Sequence, residues 1–485
     1  MAEFYIKTNR IFSNLRKWSW TFLVLVAGLG LYYPRLGLLI LPVMLILMFS
    51  GLFKGKYWCG KICPHGSLFD QYLLPLSRNK KIPSFARSKI TVIIAFAFFM
   101  FMLGRRVIRV ASLWGAISFW DRLGYIFVMN YLMVTLVGTA LALIFSSRTW
   151  CNFCPMGTMQ VLFYRLGKFL KINKSTDRKI SVVAEEMCHK CGKCARVCPM
   201  QLLPYQEFSV NNQLENESCI RCSTCVVNCP ANILSLSTEG EALSVIENLD
   251  LTGYDKRRRI SATIEKINDL QPDVRELILR LPENDYLDFI EGQFVLLKIS
   301  DNPEMFRAYS ISSEAKDKNR IRVTIKKDPI GLGSEIVFSR FLEGDALEIE
   351  GPLGRELIVD QESEKILLIA GGIGITPFIP IVDSLLSQTE QVKKVTLVHG
   401  ANLAADLLYK DYFLSKKDSR FNYLPVVARD SSWLGEKGLV TDVIEKLDLE
   451  GYKVYMCGPK PMIEPVLNAL KKASVPEDSV YFESA

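Results

Sequence analysis

The chain has 485 residues, which is too long for one hydrophobic core and predicts about three domains. Residues 1–180 hold 24 of the 59 Lys and Arg residues but only 4 of the 51 Asp and Glu residues, so the first part is basic and the remainder acidic. Basic residues beside long apolar runs are typical of membrane proteins, so the net charge of +8 does not indicate a nucleic-acid partner. Twelve of the 13 cysteines fall into closely spaced groups, which favours metal sites over a disulfide framework.

Long apolar stretches predict a transmembrane region within residues 1–164. Four stand out, at 18–33, 36–53, 89–104 and 124–146. A spanning helix needs about 20 apolar residues, so a tight or partly re-entrant hairpin formed by the first two stretches remains an alternative. Lys and Arg are concentrated in the leader, in the loop after the second stretch and after the fourth stretch. By the positive-inside rule, we expect four helices in the inner (cytoplasmic) membrane of a prokaryote, contacting lipid, with both termini and all cofactor motifs in the cytoplasm.

A cysteine phrase occurs twice in this region, each time after two apolar stretches. The first copy is Y-W-C-G-K-I-C-P-H-G (57–66) and the second is T-W-C-N-F-C-P-M-G (149–157). Repeated membrane halves commonly meet about a pseudo-two-fold axis and form a site at their junction. We therefore expect one site at the cytoplasmic membrane surface, built from Cys59, Cys63, Cys151 and Cys154. Four thiolates suit an additional iron–sulfur cluster, and zinc or a redox-active thiol pair remain alternatives.

Two further cysteine runs share the spacing C-x2-C-x2-C-x3-C-P and predict an α+β bacterial-type ferredoxin domain over residues 180–235. In ferredoxins with this spacing, three close cysteines bind one [4Fe-4S] cluster and the fourth binds the other cluster. The first predicted ligand set is Cys188, Cys191, Cys194 and Cys229, and the second is Cys219, Cys222, Cys225 and Cys198. Structural zinc is the alternative, although its cysteine pairs are usually separated by a longer spacer.

The two cysteine phrases, the apolar stretches and the following two-cluster ferredoxin resemble the NosR/NapH/CcoG group of membrane iron–sulfur proteins over about residues 1–235. The resemblance implies an electron relay that faces the cytoplasm and often serves quinone or periplasmic reductases. The second phrase departs from the family pattern, because it has C-x2-C in place of C-x3-C. The segments 165–187 and 232–258 are interpreted as polar linkers between modules.

From about residue 256 the sequence changes to alternating strands and turns. Segments 294–299 and 322–325 predict strands of a small antiparallel β-barrel, which we assign to residues 256–358. Two apolar strands, at 365–370 and 453–456, each run into a glycine-containing turn. Such turns at the carboxyl ends of strands are where open α/β sheets bind ligands, so we predict an α/β (Rossmann-like) nucleotide domain over residues 363–485.

Three phrases of this second half resemble the ferredoxin–NADP⁺ reductase superfamily, over about residues 256–485. They are R-A-Y-S (307–310), G-G-I-G-I-T-P (371–377) and C-G-P-K-P-M (457–462). The resemblance implies FAD as a cofactor and NAD(H) or NADP(H) as a partner. The loop after the second strand of the predicted sheet carries Asn402 where a cation for the NADPH phosphate is commonly found, which favours NADH, although Arg429 lies nearby in the sequence.

The same resemblance assigns roles to individual residues. Arg307 would bind the flavin pyrophosphate, Tyr309 would pack on the isoalloxazine, and Ser310 would bond near its N5 atom. Gly331, Gly333 and Ser334 would cradle the flavin phosphate. The pyridine nucleotide would be lined by Gly371, Gly372, Gly374, Thr376, Pro377, Cys457, Gly458 and Pro459. Phe482 would shield the flavin face that the nicotinamide must reach, so the implied catalytic group is Tyr309, Ser310, Cys457 and Phe482.

Together these parts predict a multidomain, membrane-bound NAD(P)H oxidoreductase. FAD takes two electrons as a hydride and releases them singly to [4Fe-4S] clusters, which pass them to an unknown membrane or periplasmic acceptor, either a quinone or a protein. Three alternatives remain open. Electron flow could be reversed to reduce NAD(P)⁺, the protein could be a maturation reductase for a partner metalloprotein, or it could be a membrane scaffold or redox sensor.

Overall fold

The computed structural model describes residues 4–247, 249–388 and 391–484, which form two compact units. The N-terminal unit comprises residues 4–188 and 192–249, and the C-terminal unit comprises residues 189–191 and 250–484. The predicted membrane and ferredoxin regions therefore share one unit, and the predicted flavin and nucleotide regions share the other.

Three helices of the N-terminal unit are long and apolar enough to cross a membrane. They are Pro34–Lys54, Lys89–Ala111 and Phe119–Ile144, with 21, 23 and 26 residues. At the helical rise of about 1.5 Å per residue, each is at least about 30 Å long, which matches the hydrocarbon core of a bilayer. The four-helix prediction is not confirmed, because only these three candidates occur in the described ranges.

The first apolar stretch does not form a long helix. It consists of short pieces, Thr21–Leu23, the π-helical Val24–Gly28 and the 3-10 turn Leu29–Leu31. These 11 consecutive residues extend only about 16 Å at the α-helical rise, roughly half of what spanning requires. The chain becomes non-helical at Tyr33, before Pro34 begins the next helix, because a residue that precedes proline is disfavoured in the helical conformation.

The long apolar helices pack closely at one point and expose many apolar side chains. A Cβ atom on Gly37 would lie 2.1 Å from the carbonyl oxygen of Gly124, so these helices approach closely at small residues, as membrane helices do. The helix Lys89–Ala111 has no buried residue in its most apolar stretch, and Ile93, Phe98 and Phe101 are each more than 60% exposed. Such a continuous exposed apolar face is unusual on a soluble monomer.

Shorter elements complete the N-terminal unit. Strands β1 (Lys179–Val182) and β2 (Leu234–Ser237) pair in antiparallel fashion, with Lys179 opposite Ser237. The interpretation of 165–187 and 232–258 as polar linkers is therefore wrong in part, because the buried face of β1 packs into the ferredoxin core. The remaining α-helices are Asn14–Trp18, Tyr57–Lys61, Pro64–Leu68, Leu74–Leu76, Ser84–Arg87, Pro155–Phe169, Lys193–Arg196, Thr224–Val227 and Glu239–Glu247.

The first half of the C-terminal unit is a six-stranded antiparallel barrel, as predicted. Sheet order is β6-β5-β8-β3-β4-β7, and a bridge between Ile311 and Val323 joins the two end strands. Apolar side chains that alternate along these strands fill the interior. The strands are β3 (Arg258–Gln271), β4 (Val274–Arg280), β5 (Phe294–Asp301), β6 (Glu304–Ser310), β7 (Arg320–Lys326) and β8 (Ala346–Leu353), with the helix Leu332–Arg340 before β8.

The second half is a six-stranded parallel sheet with the order β12-β11-β10-β9-β13-β14. After Lys365, its central strand β9 is apolar because helices cover both faces, with Ile366 and Leu368 on one side and Leu367 and Ile369 on the other. The strands are β9 (Lys365–Gly371), β10 (Lys394–Ala401), β11 (Phe421–Val427), β12 (Glu436–Lys437), β13 (Tyr452–Gly458) and β14 (Val480–Ser484). The helices are Phe378–Gln388, Lys410–Leu414, Val440–Ile444 and Lys460–Lys472.

Candidate cofactor sites

The two cysteine phrases form similar local structures and meet at one cavity. Cys63 and Cys154 each precede a helix that begins with proline, a residue favoured at this position because it needs no N–H partner. The cavity has a volume of about 110 Å³, and its lining includes all four predicted ligands, which we call the membrane cysteine site: Cys59, Cys63, Cys151 and Cys154. The shorter spacing of the second phrase therefore does not prevent the four cysteines from lining one cavity.

Hydrogen-bond donors surround the sulfurs of this site. Gln160 Nε2 donates to Cys59 Sγ at 3.0 Å, and Arg148 Nη1 donates to Cys151 Sγ at 3.5 Å. Donors to sulfur and the burial of a site are among the features that set the reduction potential of an iron–sulfur cluster. Gln160 and Arg148 belong to no recognisable motif, so sequence reasoning missed both.

Burial makes the free thiols of this site difficult to ionise. It raises the pKa of Cys59 to about 11 and the pKa of Cys63 and Cys154 to about 12. Neighbouring cysteines contribute to these raised pKa values, since two thiolates repel each other. Metal binding offsets this cost because it replaces the proton with a cation. Four converging, half-buried cysteines with donors to their sulfurs therefore fit an iron–sulfur cluster.

His65, which lies in the first phrase, also lines this cavity. Its Nε2 atom lies 3.0 Å from Thr135 Oγ1, and its ring meets Tyr131 edge-on, with 4.4 Å between ring centroids. Burial lowers the pKa of His65 to about 4, so this imidazole is neutral at physiological pH.

The two cysteine runs of the ferredoxin domain adopt similar local structures. Helices Lys193–Arg196 and Thr224–Val227 follow residues in the left-handed conformation, Gly192 and Ser223. The second predicted ligand set lines a single small cavity and is called here the ferredoxin cysteine site: Cys198, Cys219, Cys222 and Cys225. Thus the cysteine from the first run lies with three from the second run, as the ferredoxin spacing predicts.

Of the first predicted ligand set, Cys188, Cys194 and Cys229 lie in the ferredoxin core, and Cys191 belongs to the C-terminal unit. Backbone N–H groups of Leu202 and Arg221 donate to cysteine sulfurs of the ferredoxin cysteine site, each at 3.4 Å. Within the described ranges, no three His, Cys, Asp or Glu side chains are arranged to hold a single metal ion. A cubane spreads its four ligands over four irons, unlike a tetrahedral zinc site, in which all four bind one ion at about 2.3 Å.

The membrane and ferredoxin cysteine sites meet in a shared apolar cluster inside the N-terminal unit. Cys222 is buried in this cluster, and Cys59, Cys151 and Cys198 pack against it. The backbone of the first cysteine phrase lies close to that of the second ferredoxin cysteine run, because a Cβ atom on Gly60 would lie 1.8 Å from the carbonyl oxygen of Ile220. Only glycine fits at this position, so the two sites are held side by side.

The predicted flavin residues belong to β6 and to the helix that precedes β8. Arg307, Tyr309 and Ser310 are on β6, where Tyr309 packs against the barrel core and burial raises its pKa to about 12. Gly331, Gly333 and Ser334 lie at the start of the helix Leu332–Arg340. A Cβ atom on Gly333 would lie 2.7 Å from Arg307 Cγ, so the arginine and this helix start are in contact. A guanidinium beside exposed helix N–H groups fits the phosphates of FAD.

The two predicted nucleotide loops lie side by side after β9 and β13. Residues Gly371, Gly372, Gly374, Thr376 and Pro377 join β9 to the helix Phe378–Gln388, while Cys457, Gly458 and Pro459 join β13 to the helix Lys460–Lys472. Close approach requires glycine here, because a Cβ atom on Gly374 would lie 2.2 Å from the carbonyl oxygen of Cys457. His399 on β10 supports the first loop through its Nε2 atom, 3.2 Å from the oxygen of Gly372. These paired turns fit a dinucleotide.

A buried carboxylate beside Cys457 is a feature that sequence reasoning missed. Glu483 lies opposite Cys457 in the pairing of β13 and β14. Burial and, to a smaller extent, the nearby Glu356 raise the pKa of Glu483 to about 8, and its Oε1 atom has no hydrogen-bond partner. Burial also raises the pKa of the Cys457 thiol well above its usual range. The predicted shield, Phe482, precedes this glutamate and is 43% exposed.

Four family models match the chain. They are a 4Fe-4S binding domain (residues 36–83 and 129–173), a 4Fe-4S dicluster domain (187–234), an oxidoreductase FAD-binding domain (261–357) and an oxidoreductase NAD-binding domain (368–467). The chain therefore contains ferredoxin-reductase FAD- and NAD-binding domains together with 4Fe-4S domains, which confirms the predicted cofactor classes. The first match includes the membrane cysteine site. These matches do not identify the narrower NosR/NapH/CcoG group.

The curated relatives that match this chain include electron-transfer and reductase components of oxygenases. The electron transfer component of anthranilate 1,2-dioxygenase from Acinetobacter baylyi is 30% identical over 41% of this chain and 58% of that protein. The corresponding component of toluate 1,2-dioxygenase from Pseudomonas putida is 30% identical over 46% and 66%. The reductase component of propane 2-monooxygenase from Mycolicibacterium smegmatis is 27% identical over 62% and 86%. The chain thus spans less than two thirds of the first two relatives.

Among solved structures, an Amycolatopsis cytochrome P450 reductase is 26% identical, with a TM-score of 0.44 over 47% of this chain and 70% of that one. A ferredoxin reductase of carbazole 1,9a-dioxygenase is 23% identical, with a TM-score of 0.43 over 52% and 74%.

Proposed function

We propose that this chain is a membrane-bound NAD(P)H oxidoreductase that passes electrons through FAD and [4Fe-4S] clusters to an acceptor at or across the membrane. The FAD- and NAD-binding domains supply the entry point, since flavin accepts a hydride from a pyridine nucleotide and releases electrons one at a time. Arg307 and Gly333 would hold the flavin phosphates, and the loops at Gly374 and Cys457 would hold the nucleotide. NADH is the proposed donor, because Asn402 offers no charge to a 2′-phosphate.

The observation that carries this proposal is the packing of the ferredoxin cysteine site against the membrane cysteine site. Cys198 and Cys222 share one apolar cluster with Cys59 and Cys151, so both sites belong to a single compact unit. A one-electron carrier placed beside a second site of the same chemistry is what a relay requires. This arrangement favours electron transfer over a sensor in which the two sites act separately.

The membrane location rests on three long apolar helices and on the exposed face of Lys89–Ala111. Two of these helices, Lys89–Ala111 and Phe119–Ile144, separate the two cysteine phrases, so a hairpin would keep both phrases on one side of a bilayer. The basic flanks favour the cytoplasmic side of a prokaryotic inner membrane. This organisation supports membership of the NosR/NapH/CcoG group.

The acceptor is proposed to be a quinone or a protein partner. Beside the cysteines, the cavity at the membrane cysteine site is lined by apolar residues of the proposed spans, including Met44, Phe99 and Phe127. An electron carrier that dissolves in lipid could approach such a lining, whereas a partner protein would have to dock outside it. Delivery of electrons for maturation of a partner metalloprotein uses the same relay with a protein acceptor.

Anaerobic reduction of the purified full-length protein tests the entry point. We expect NADH to bleach the flavin and then to reduce the clusters, with a quinone analogue or ferricyanide restoring the oxidised spectrum. Failure of both NADH and NADPH to bleach bound flavin would falsify the proposal. NAD⁺ reduction by the chemically reduced protein, with no NADH oxidation in any acceptor assay, would instead indicate reverse flow.

Iron and sulfide analysis tests the relay. We expect about eight iron atoms from the ferredoxin domain and up to four more from the membrane cysteine site. Replacing Cys59 and Cys154 with serine should remove only the additional iron, whereas the matched change Cys457→Ser should leave the iron content unaltered. Equal iron contents in all three proteins would contradict a cluster at the membrane cysteine site.

A further inference from the structure

A single buried carboxylate, Asp70, is surrounded by three arginines within the N-terminal unit. Arg148 donates to Asp70 Oδ1 from Nε at 3.0 Å and to Oδ2 from Nη2 at 2.6 Å. Arg10 Nη1 lies 3.5 Å from Oδ1, and Arg16 donates to Oδ2. All four side chains are 2% exposed or less. We call these three arginines and Asp70 the arginine cluster.

The arginine cluster makes direct hydrogen bonds to the membrane cysteine site and to the backbone of the first cysteine phrase. Arg148 Nη1 donates to Cys151 Sγ at 3.5 Å, and its Nη2 donates to the oxygen of Gly66 at 3.0 Å. Arg16 donates to the oxygen of Gly60. Both carbonyl groups belong to the first cysteine phrase, so two of the three arginines fix the backbone that presents the ligands.

The charges of the cluster do not cancel. Three guanidinium groups face one carboxylate, which leaves an excess of about two positive charges in a buried position, and such an excess is costly unless a counter-charge lies close by. The other two carboxylates described in the first 180 residues are already engaged, because Asp121 pairs with Arg35 and Asp177 pairs with Arg221.

Besides Asp70, the groups able to carry negative charge with which the three arginines interact are cysteines. Arg16 interacts electrostatically with Cys63 and Cys222, which belong to the membrane and the ferredoxin cysteine site respectively. Lys56 is also buried and interacts with Cys59, which adds to the positive charge on the membrane side. A [4Fe-4S] core with four thiolates carries a net charge of about −2, and about −3 once reduced, so it supplies the missing counter-charge.

We propose that the arginine cluster raises the reduction potential at the membrane cysteine site, so that electrons leave the ferredoxin cysteine site for it. One electron moves between the sites, no bond forms or breaks, and no proton is required. The added negative charge arrives beside fixed guanidinium groups, which stabilise the reduced form more than the oxidised form. This inference rests on the proposed function, because it needs a [4Fe-4S] cluster at the membrane cysteine site.

Two substitutions that change the excess charge in opposite directions test the proposal. Arg148→Gln lowers the excess by one charge and removes the bond to Cys151, so the potential at the membrane cysteine site should fall. Asp70→Asn raises the excess by one charge, so the potential should rise. We expect each change to alter the one-electron equilibrium between the two sites at least tenfold, which corresponds to 59 mV. Arg35→Gln, in an exposed pair of the same unit, is the matched control and should change nothing.

The measurement is a redox titration of full-length protein in detergent, followed by electron paramagnetic resonance, with iron content determined for each sample. Shifts of opposite sign at unchanged iron content support the proposal, because a purely structural role would not reverse sign. If the Arg148→Gln protein lacks the additional iron of the membrane cysteine site, the Asp70→Asn variant decides alone: a rise in potential supports the proposal, and a fall overturns it. Unchanged potentials in both variants, shifts of the same sign, or loss of iron from both would overturn it. Absence of a third centre from the wild-type protein would overturn the proposed function as well.

Discussion

Replacing Gly60 with alanine tests the close approach between the membrane and ferredoxin cysteine sites. The new Cβ atom would lie 1.8 Å from the carbonyl oxygen of Ile220 and 3.2 Å from the amide nitrogen of Cys222. Both are backbone atoms, so neither can rotate away. Restoring a separation of about 3.0 Å requires a movement of about 1.2 Å from the present 1.8 Å, and overpacking of this kind costs about 1–3 kcal/mol.

The same movement should slow electron transfer. The probability of electron tunnelling falls steeply with the distance between carriers, so we expect the membrane cysteine site to be reduced several-fold more slowly. Flavin bleaching by NADH should be unaffected, because Gly60 lies in the other unit. Rapid mixing with NADH under anaerobic conditions, followed by freeze-quench electron paramagnetic resonance, separates the two steps.

Gly104→Ala is the matched control for this experiment. Gly104 lies in the same unit, and a Cβ atom there would meet no atom within 4 Å, so neither stability nor rate should fall. Iron content is measured for both variants, since slow reduction is informative only when the centre is present. Wild-type unfolding temperature and wild-type reduction rate in Gly60→Ala would refute the reasoning.

Three further predictions concern the rest of the chain. Gly374→Ala would place a Cβ atom 2.2 Å from the oxygen of Cys457, so the concentration of NADH for half-maximal flavin reduction should rise while flavin content stays unchanged. The pKa of Glu483 is raised to about 8 in the folded protein, so the folded state holds a proton that the unfolded state releases above about pH 4.3. The free energy of unfolding should therefore fall as pH rises from about 4.3 through 8. Thermal denaturation at pH 6 and pH 9 should show this loss in the wild-type protein and not in Glu483→Gln. Asp177→Asn should destabilise the N-terminal unit by about 3–5 kcal/mol in urea unfolding, because it leaves the charge of Arg221 buried without its partner.

Much of the C-terminal unit could be predicted from the sequence because its strands have a local signature. The segments expected at 294–299 and 365–370 are found as β5 and β9, since a buried strand needs apolar residues that are adjacent in the chain. The glycine phrases could be located for a similar reason, as a close backbone approach leaves no room for a side chain.

Features that depend on contacts between distant residues could not be predicted. Arg10 and Arg148 lie 60 and 78 residues from Asp70, and no spacing rule connects them. Glu483 meets Cys457 only through the pairing of β14 with β13, which the sequence does not state. The apolar composition of residues 18–33 predicted a spanning helix, but the structure has only short helical pieces there, because composition alone does not show where a helix breaks.

The placement of the ferredoxin core and the long apolar helices in one compact unit would set the kinetic order of the proposed relay. A ferredoxin that diffuses freely must encounter its acceptor, so its turnover depends on the concentration of both. Here the two cysteine sites are tethered and packed together, and each site experiences a high effective concentration of the other. In the proposed relay, transfer between them would therefore be unimolecular. Diluting the protein in a bilayer would leave its rate unchanged, and a soluble ferredoxin added in excess could not compete for the internal site.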